Sequence, residues 1–95
     1  MIKVVAKHFI KEDERENFLK IAKELIAITV KEEGCIKYEL YQDEKDESIL
    51  TIIEEWENKE ALNNHMASEH FKRIVPIMGK CIEKAGEINL YEKVI

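Results

Sequence analysis

The residues best suited to chemistry crowd into one stretch, Ile49 to Phe71, which reads ILTIIEEWENKEALNNHMASEHF. It holds two of the three histidines, His65 and His70, and the only tryptophan, Trp56. An imidazole has an unperturbed pKa near 6.5 and exchanges protons at neutral pH. Glu54 and Trp56 are two residues apart, so on a strand they point to one face. A glutamate there can orient a histidine, or act as a base if burial raises its pKa. The indole can stack on a flat ligand. Tyr38, from a neighbouring strand, can donate to an oxyanion. The candidate catalytic groups are therefore His65, His70 and Glu54. Trp56, Tyr38, His8, Met66 and Phe71 are the candidates for contact with a substrate.

Each residue also has a plainer reading. Trp56 can be a core aromatic at the end of a strand. His65, on an apolar helix face, can serve only to hydrogen-bond a backbone carbonyl or Glu54 and lock helix to sheet. His70 can be an exposed residue in a capping turn, and His8 a core histidine satisfied by one hydrogen bond.

The elements that must position these groups follow from periodicity. Residues 2–10 (IKVVAKHFI) are rich in Val, Ile and Phe and read as a strand, with His8 on the face of Ile2, Val4, Ala6 and Ile10. Over residues 12–33 the period changes. Phe18, Ile21, Ala22, Leu25, Ile28 and Thr29 mark one helical face, with Asp13 and Glu16 as a capping pair and Gly34 as the stop. Residues 35–42 and 49–57 are two further strands, and the short polar link DEKDES makes them a hairpin. The second of these is apolar on both sides, which predicts burial on both sides. Asn58 and Ser68 are placed to cap two helices. Pro76 predicts a kink or break in the second, Gly86 closes the helical region, and residues 87–95 form the last strand.

Strand, helix, strand, strand, helix, strand is the split βαβ order of an α+β, ferredoxin-like fold with a four-stranded antiparallel sheet. Helices cover one face of that sheet, and the other keeps apolar side chains with no helix to cover them. Such a face is poorly tolerated on a monomer, so a homodimer with sheets packed face to face is expected.

Bulk properties narrow the function. A length of 95 residues makes one domain, 1–95. The net charge of −5, with basic residues scattered among acids, argues against nucleic acid as a partner. No apolar run has the length of a signal peptide or a membrane span, so a cytoplasmic location without membrane attachment is the default. Cys35 and Cys81 lie far apart and read as reduced core thiols. The three histidines fall on separate elements without HxH or HExxH spacing, so no metal site is expected. The three glycines are not clustered, and no nucleotide, flavin or NAD site is indicated.

Three segments carry a resemblance. EEGCIKYELYQDE, IIEEWENKEALNNHMASEHFK and the closing INLYEKV resemble the antibiotic biosynthesis monooxygenase domain family, including its quinol monooxygenase-like members. The features most specific to it are Gly34-Cys35 leading to Tyr38-Glu39-Leu40-Tyr41-Gln42-Asp43, the Glu54-x-Trp56 pair, and His65-x-x-Ser68-x-His70-Phe71. Many members have proline where this chain has Glu69. The resemblance implies a dimeric α/β barrel with a pocket between sheet and helices in each subunit. It also implies cofactor-independent oxidation of an aromatic, quinol-type substrate by O2. Cofactor-free oxygenation needs a base for the hydroxyl proton, donors for the oxyanion and an apolar chamber.

Other activities share the motif or the fold. The histidine motif also resembles that of an isomerase of this fold that processes a small phosphorylated signalling metabolite, for which Lys72 and Arg73 are the only nearby anion-binding candidates. Haem-degrading relatives carry their ligating histidine where this chain has Val75. A non-catalytic, ligand-binding dimer is the reading from a different class. It holds if side chains fill the pocket.

Overall fold

The computed structural model describes residues 1–95. The chain forms β1 (Ile2–Ile10), a 3₁₀ turn (Glu12–Glu14), α1 (Arg15–Thr29), β2 (Cys35–Gln42) and β3 (Ile49–Trp56). It continues with α2 (Lys59–Met66), α3 (Glu69–Gly79) and β4 (Ile82–Glu92). The strands make one antiparallel sheet in the order β2-β3-β1-β4. This is the ferredoxin-like α+β arrangement that the periodicity predicts.

Alternation sorts the sheet into two faces. Val4, Ala6 and Ile10 of β1 and Leu50, Ile52 and Trp56 of β3 are buried on the helix side. Phe18, Ala22, Leu25 and Thr29 of α1 and Ile74 and Met78 of α3 are buried against them. Each large side chain fully buried in this way stabilises by roughly 1.5–3 kcal/mol. Asn58 Oδ1 accepts from the Ala61 amide at 2.9 Å, and Ser68 Oγ accepts from the Phe71 amide at 3.2 Å. Both predicted caps are therefore present, and they fix where α2 and α3 begin.

Several local expectations need correction. Asp13 does not cap α1: the helix is entered through the 3₁₀ turn, with Glu14 at the cap position and no side-chain cap bond. Gly34 does not end α1, which stops at Thr29. It lies in the following turn with φ 85°, and a Cβ there would be 2.5 Å from the Ala61 Cβ. Handedness and the approach of α2 both require glycine.

Pro76 does not break α3, which continues to Gly79. The carbonyl deprived of its donor belongs to Lys72, an exposed residue where water can serve instead. On β2 a register shift between Cys35 and Lys37 packs Cys35 against the core and leaves Ile36 exposed, contrary to simple alternation. β3 is buried on the helix side, but Ile49 and Ile53 on the other side are only half-buried in the protomer.

The largest difference concerns residues 82–86, expected in the helical region. They belong to β4, where Ile82 pairs with Ile10. The Lys11 amide donates to the Cys81 carbonyl at 2.8 Å, so pairing with a long β1 overrides the local helical pattern. Gly86 sits in that strand, beside a register shift between Lys7 and Phe9. A Cβ on Gly86 would be 2.2 Å from the Lys7 carbonyl oxygen. Gly86→Ala is therefore expected to destabilise by about 1–3 kcal/mol. Chemical denaturation checks this, and a midpoint equal to that of the parent would refute it.

Candidate active site

The cavity that concerns function lies between the helix side of β1, β3 and β4 and the α2–α3 corner. It has a volume of about 190 Å³, and 13 of its 17 lining residues are hydrophobic, so it is an apolar chamber with few polar groups. Along β4 it is bounded by Ile88 and Leu90, both exposed, because no helix crosses that edge strand. Six of the eight candidate site residues line it: His8, Tyr38, Glu54, His65, Met66 and Phe71.

His65 sits in the last turn of α2 and is only 1% exposed. Its ring lies in an aromatic box, 4.7 Å from Trp56, 5.0 Å from Phe71 and 5.3 Å from Tyr38 by centroids. His65 Nδ1 is 2.6 Å from Glu32 Oε2. An ionised carboxylate only accepts, so Nδ1 carries the proton and Nε2 is a bare lone pair. That Nε2 is buried and has no partner. Burial pulls the His65 pKa down, opposed by Glu32. The imidazole is held neutral, in the tautomer that a base requires.

Glu54 and Tyr38 face each other as a cross-strand pair. Burial pushes the Glu54 carboxyl up to about 7, while the Trp56 indole, donating to Glu54 Oε1 at 2.9 Å, resists the rise. Near neutrality a large share of Glu54 is protonated and able to donate. Burial, followed by the charges of Glu54 and Glu32, raises the Tyr38 pKa far above its ordinary value. Its hydroxyl therefore remains a donor. His8 donates from Nδ1 to the Leu50 carbonyl at 3.2 Å, and burial lowers its pKa. The expected backbone hydrogen bond and a position on the cavity wall thus occur together. Phe71 completes the apolar wall, and Met66, 43% exposed, stands at the mouth.

Two candidates are placed differently from expectation. Trp56 is fully buried and does not line the cavity, so it is no stacking surface for a ligand. It supports His65 and Glu54 from beneath. His70 does not line the cavity either. Its Nε2 bonds Glu32 Oε2 at 2.8 Å and lies 3.3 Å from Ser68 Oγ.

Glu32 is the residue that sequence reasoning missed. It stands in the turn before β2, and one of its oxygens bridges the two histidines. The only local signal is its position two residues before Gly34, and nothing in chain spacing links it to His65. The donor atoms of Glu32, His65 and His70 all lie within 4.8 Å of one another.

A sequence profile of the family described as Antibiotic biosynthesis monooxygenase matches residues 1–76. The fold superposes on a conserved protein from Methanosarcina mazei with a TM-score of 0.96 and 44% identity, covering 98% of this chain and 92% of that one. It also superposes on a crystal structure described as an antibiotic biosynthesis monooxygenase, with a TM-score of 0.94 and 37% identity over the whole of both chains. Among curated proteins it resembles the uncharacterized protein sll1783 of Synechocystis, 30% identical over 87% of this chain. The match spans 56% of that relative's length.

Proposed function

The chain belongs to the antibiotic biosynthesis monooxygenase family, and from that premise we propose that it is a cofactor-independent monooxygenase acting on a small phenol or quinol. The observation that carries this reading is His65 itself, a lining residue of the apolar cavity whose Nδ1 is held by Glu32 and whose buried Nε2 has no partner. His65 takes the hydroxyl proton of the substrate. Tyr38 and protonated Glu54 donate to the oxyanion that forms. The electron-rich anion passes an electron to O2, and recombination followed by loss of water leaves one oxygen atom on carbon. For a phenol with an open para position the balance is phenol plus O2 to quinone plus water, with the substrate as the only reductant. The apolar walls keep bulk water from the radical pair.

Cavity size limits the substrate. A cavity of about 150 Å³ holds benzene, so 190 Å³ suits one ring or a compact pair of rings. It lies below the roughly 300–1,000 Å³ of sites for drug-sized ligands. Val75, at the haem-ligand position of the haem-degrading relatives, cannot ligate iron. The isomerase reading loses its anion site, because no lysine or arginine lines the cavity. Arg73 instead pairs with Glu24 at 2.9 Å and Glu69 at 2.8 Å on the surface.

The proposal includes a homodimer. The uncovered sheet face presents half-buried Val5, Phe9, Ile49 and Ile53 at its centre, and a second copy packed there would shield them. Sedimentation at micromolar concentration is expected to give twice the protomer mass. As to location, no helix is long and apolar enough to cross a membrane.

Oxygen uptake with a panel of one- and two-ring hydroquinones and naphthols tests the activity. Turnover without added flavin and in the presence of chelator is expected. Rearrangement of a phosphorylated ketose without O2 consumption would overturn the monooxygenase reading.

A further inference from the structure

Behind His65, on the side away from the cavity, two imidazole nitrogens converge on a single carboxylate oxygen, and the geometry points to a binding site for a divalent transition metal made by Glu32, His65 and His70. His65 Nδ1 and His70 Nε2 lie 2.6 and 2.8 Å from Glu32 Oε2. Two neutral nitrogens and one carboxylate form a donor set suited to Zn²⁺ and its neighbours in the first transition row. Bonds of about 2.1 Å in a tetrahedron set donors about 3.4 Å apart. The three donor atoms already lie within 4.8 Å of one another, so small side-chain shifts suffice.

The donors are held in place independently of any ion. Ser68 caps α3 and also donates from Oγ to the His65 carbonyl at 2.6 Å, which fixes the α2–α3 corner that carries both histidines. The Glu32 and His70 side chains keep 16% and 12% exposure, so an ion can enter from solvent without crossing the cavity. The three ligands come from the turn before β2, from α2 and from α3. A bound ion would therefore staple three separate elements.

The site has a consequence for the reaction proposed above, and this part rests on that reading. An ion on His65 Nδ1 displaces its proton, and the neutral imidazole then carries its hydrogen on Nε2. The free lone pair on Nε2 is lost, so occupancy inhibits the proposed monooxygenase.

Titration of the full chain with Zn²⁺ by calorimetry, and with Co²⁺ by visible absorption, tests the site. One ion per chain is expected, with a rise in melting temperature. At least tenfold weaker binding is expected in both His70→Ala and Glu32→Gln, and unchanged binding in His8→Gln. Because Glu32 also anchors His65, Glu32→Gln could fail to fold; the partly exposed His70 gives the independent variant. No binding, unaltered affinity in His70→Ala, or thiolate charge-transfer bands that place Co²⁺ on Cys35 or Cys81 would each overturn the site. Binding does not depend on turnover. A loaded protein with no monooxygenase activity at any metal level would refute the proposed reaction and leave the site standing. Monooxygenase activity indifferent to saturating Zn²⁺ would refute the inhibition.

Discussion

His65→Gln is expected to lower kcat for the oxidised phenol by about 10²–10⁴-fold, the range lost when a positioned general base is removed. Glutamine keeps polar atoms near Glu32 but offers no basic nitrogen. KM is expected to change little, because the walls that hold the ring remain. The choice of substitution matters. His65 is 1% exposed and packed among Trp56, Tyr38 and Phe71. Alanine there would open a void and cost about 2–4 kcal/mol of stability, confusing a chemical effect with a folding one. A lowered melting temperature for His65→Gln with kcat near the parent's would make His65 structural. His70 reaches His65 through Glu32 and Ser68 and is expected to show the smaller loss.

Glu54→Gln is expected to stabilise the folded protein at pH 8 and to leave it nearly unchanged at pH 4. The folded Glu54 carboxyl is raised from 4.5 to about 7, chiefly by burial, with Trp56 opposing and Glu32 adding. Between those values the folded chain keeps a proton that the unfolded chain has released. Stability therefore falls as pH rises across that window, and the full cost of a buried charge is present above pH 7. The difference corresponds to about 3 kcal/mol. Glutamine stays neutral and still accepts from the Trp56 indole, so its stability curve is expected to be flatter from pH 5 to 7. Denaturant midpoints at pH 5 and pH 8 decide the matter. Equal pH dependence in the two proteins would mean that Glu54 is ionised and well solvated in the folded state. Activity is expected to fall in the same variant, because a carboxylic acid is a stronger donor to an oxyanion than an amide.

Much of this was legible in the residues. The alternation of β1 and β3, the three- and four-residue spacing of Phe18, Ala22 and Leu25, and the caps Asn58 and Ser68 are local signals, and each is found where the pattern put it. Boundaries failed where long-range pairing competed with local preference. The run after Gly79 reads as helix in isolation, but β1 is long enough to claim it as β4. Gly34 and Gly86 read as helix stops, yet their neighbours in space, Ala61 and the Lys7 carbonyl, are what require glycine.

The candidate site divides along the same line. Residue types and spacing determined which groups could exchange protons, and they put Glu54, Tyr38 and His65 in one neighbourhood, because strand and helix periods are properties of the local chain. Only the tertiary structure decided what each would do. The buried position of His65 beside Glu32, 33 residues distant in the chain, sets its tautomer. The burial of Glu54 sets its proton affinity, and the same packing took Trp56 out of the cavity and put it beneath. Desolvation and partner geometry depend on what surrounds a group in three dimensions, and sequence spacing carries no record of that.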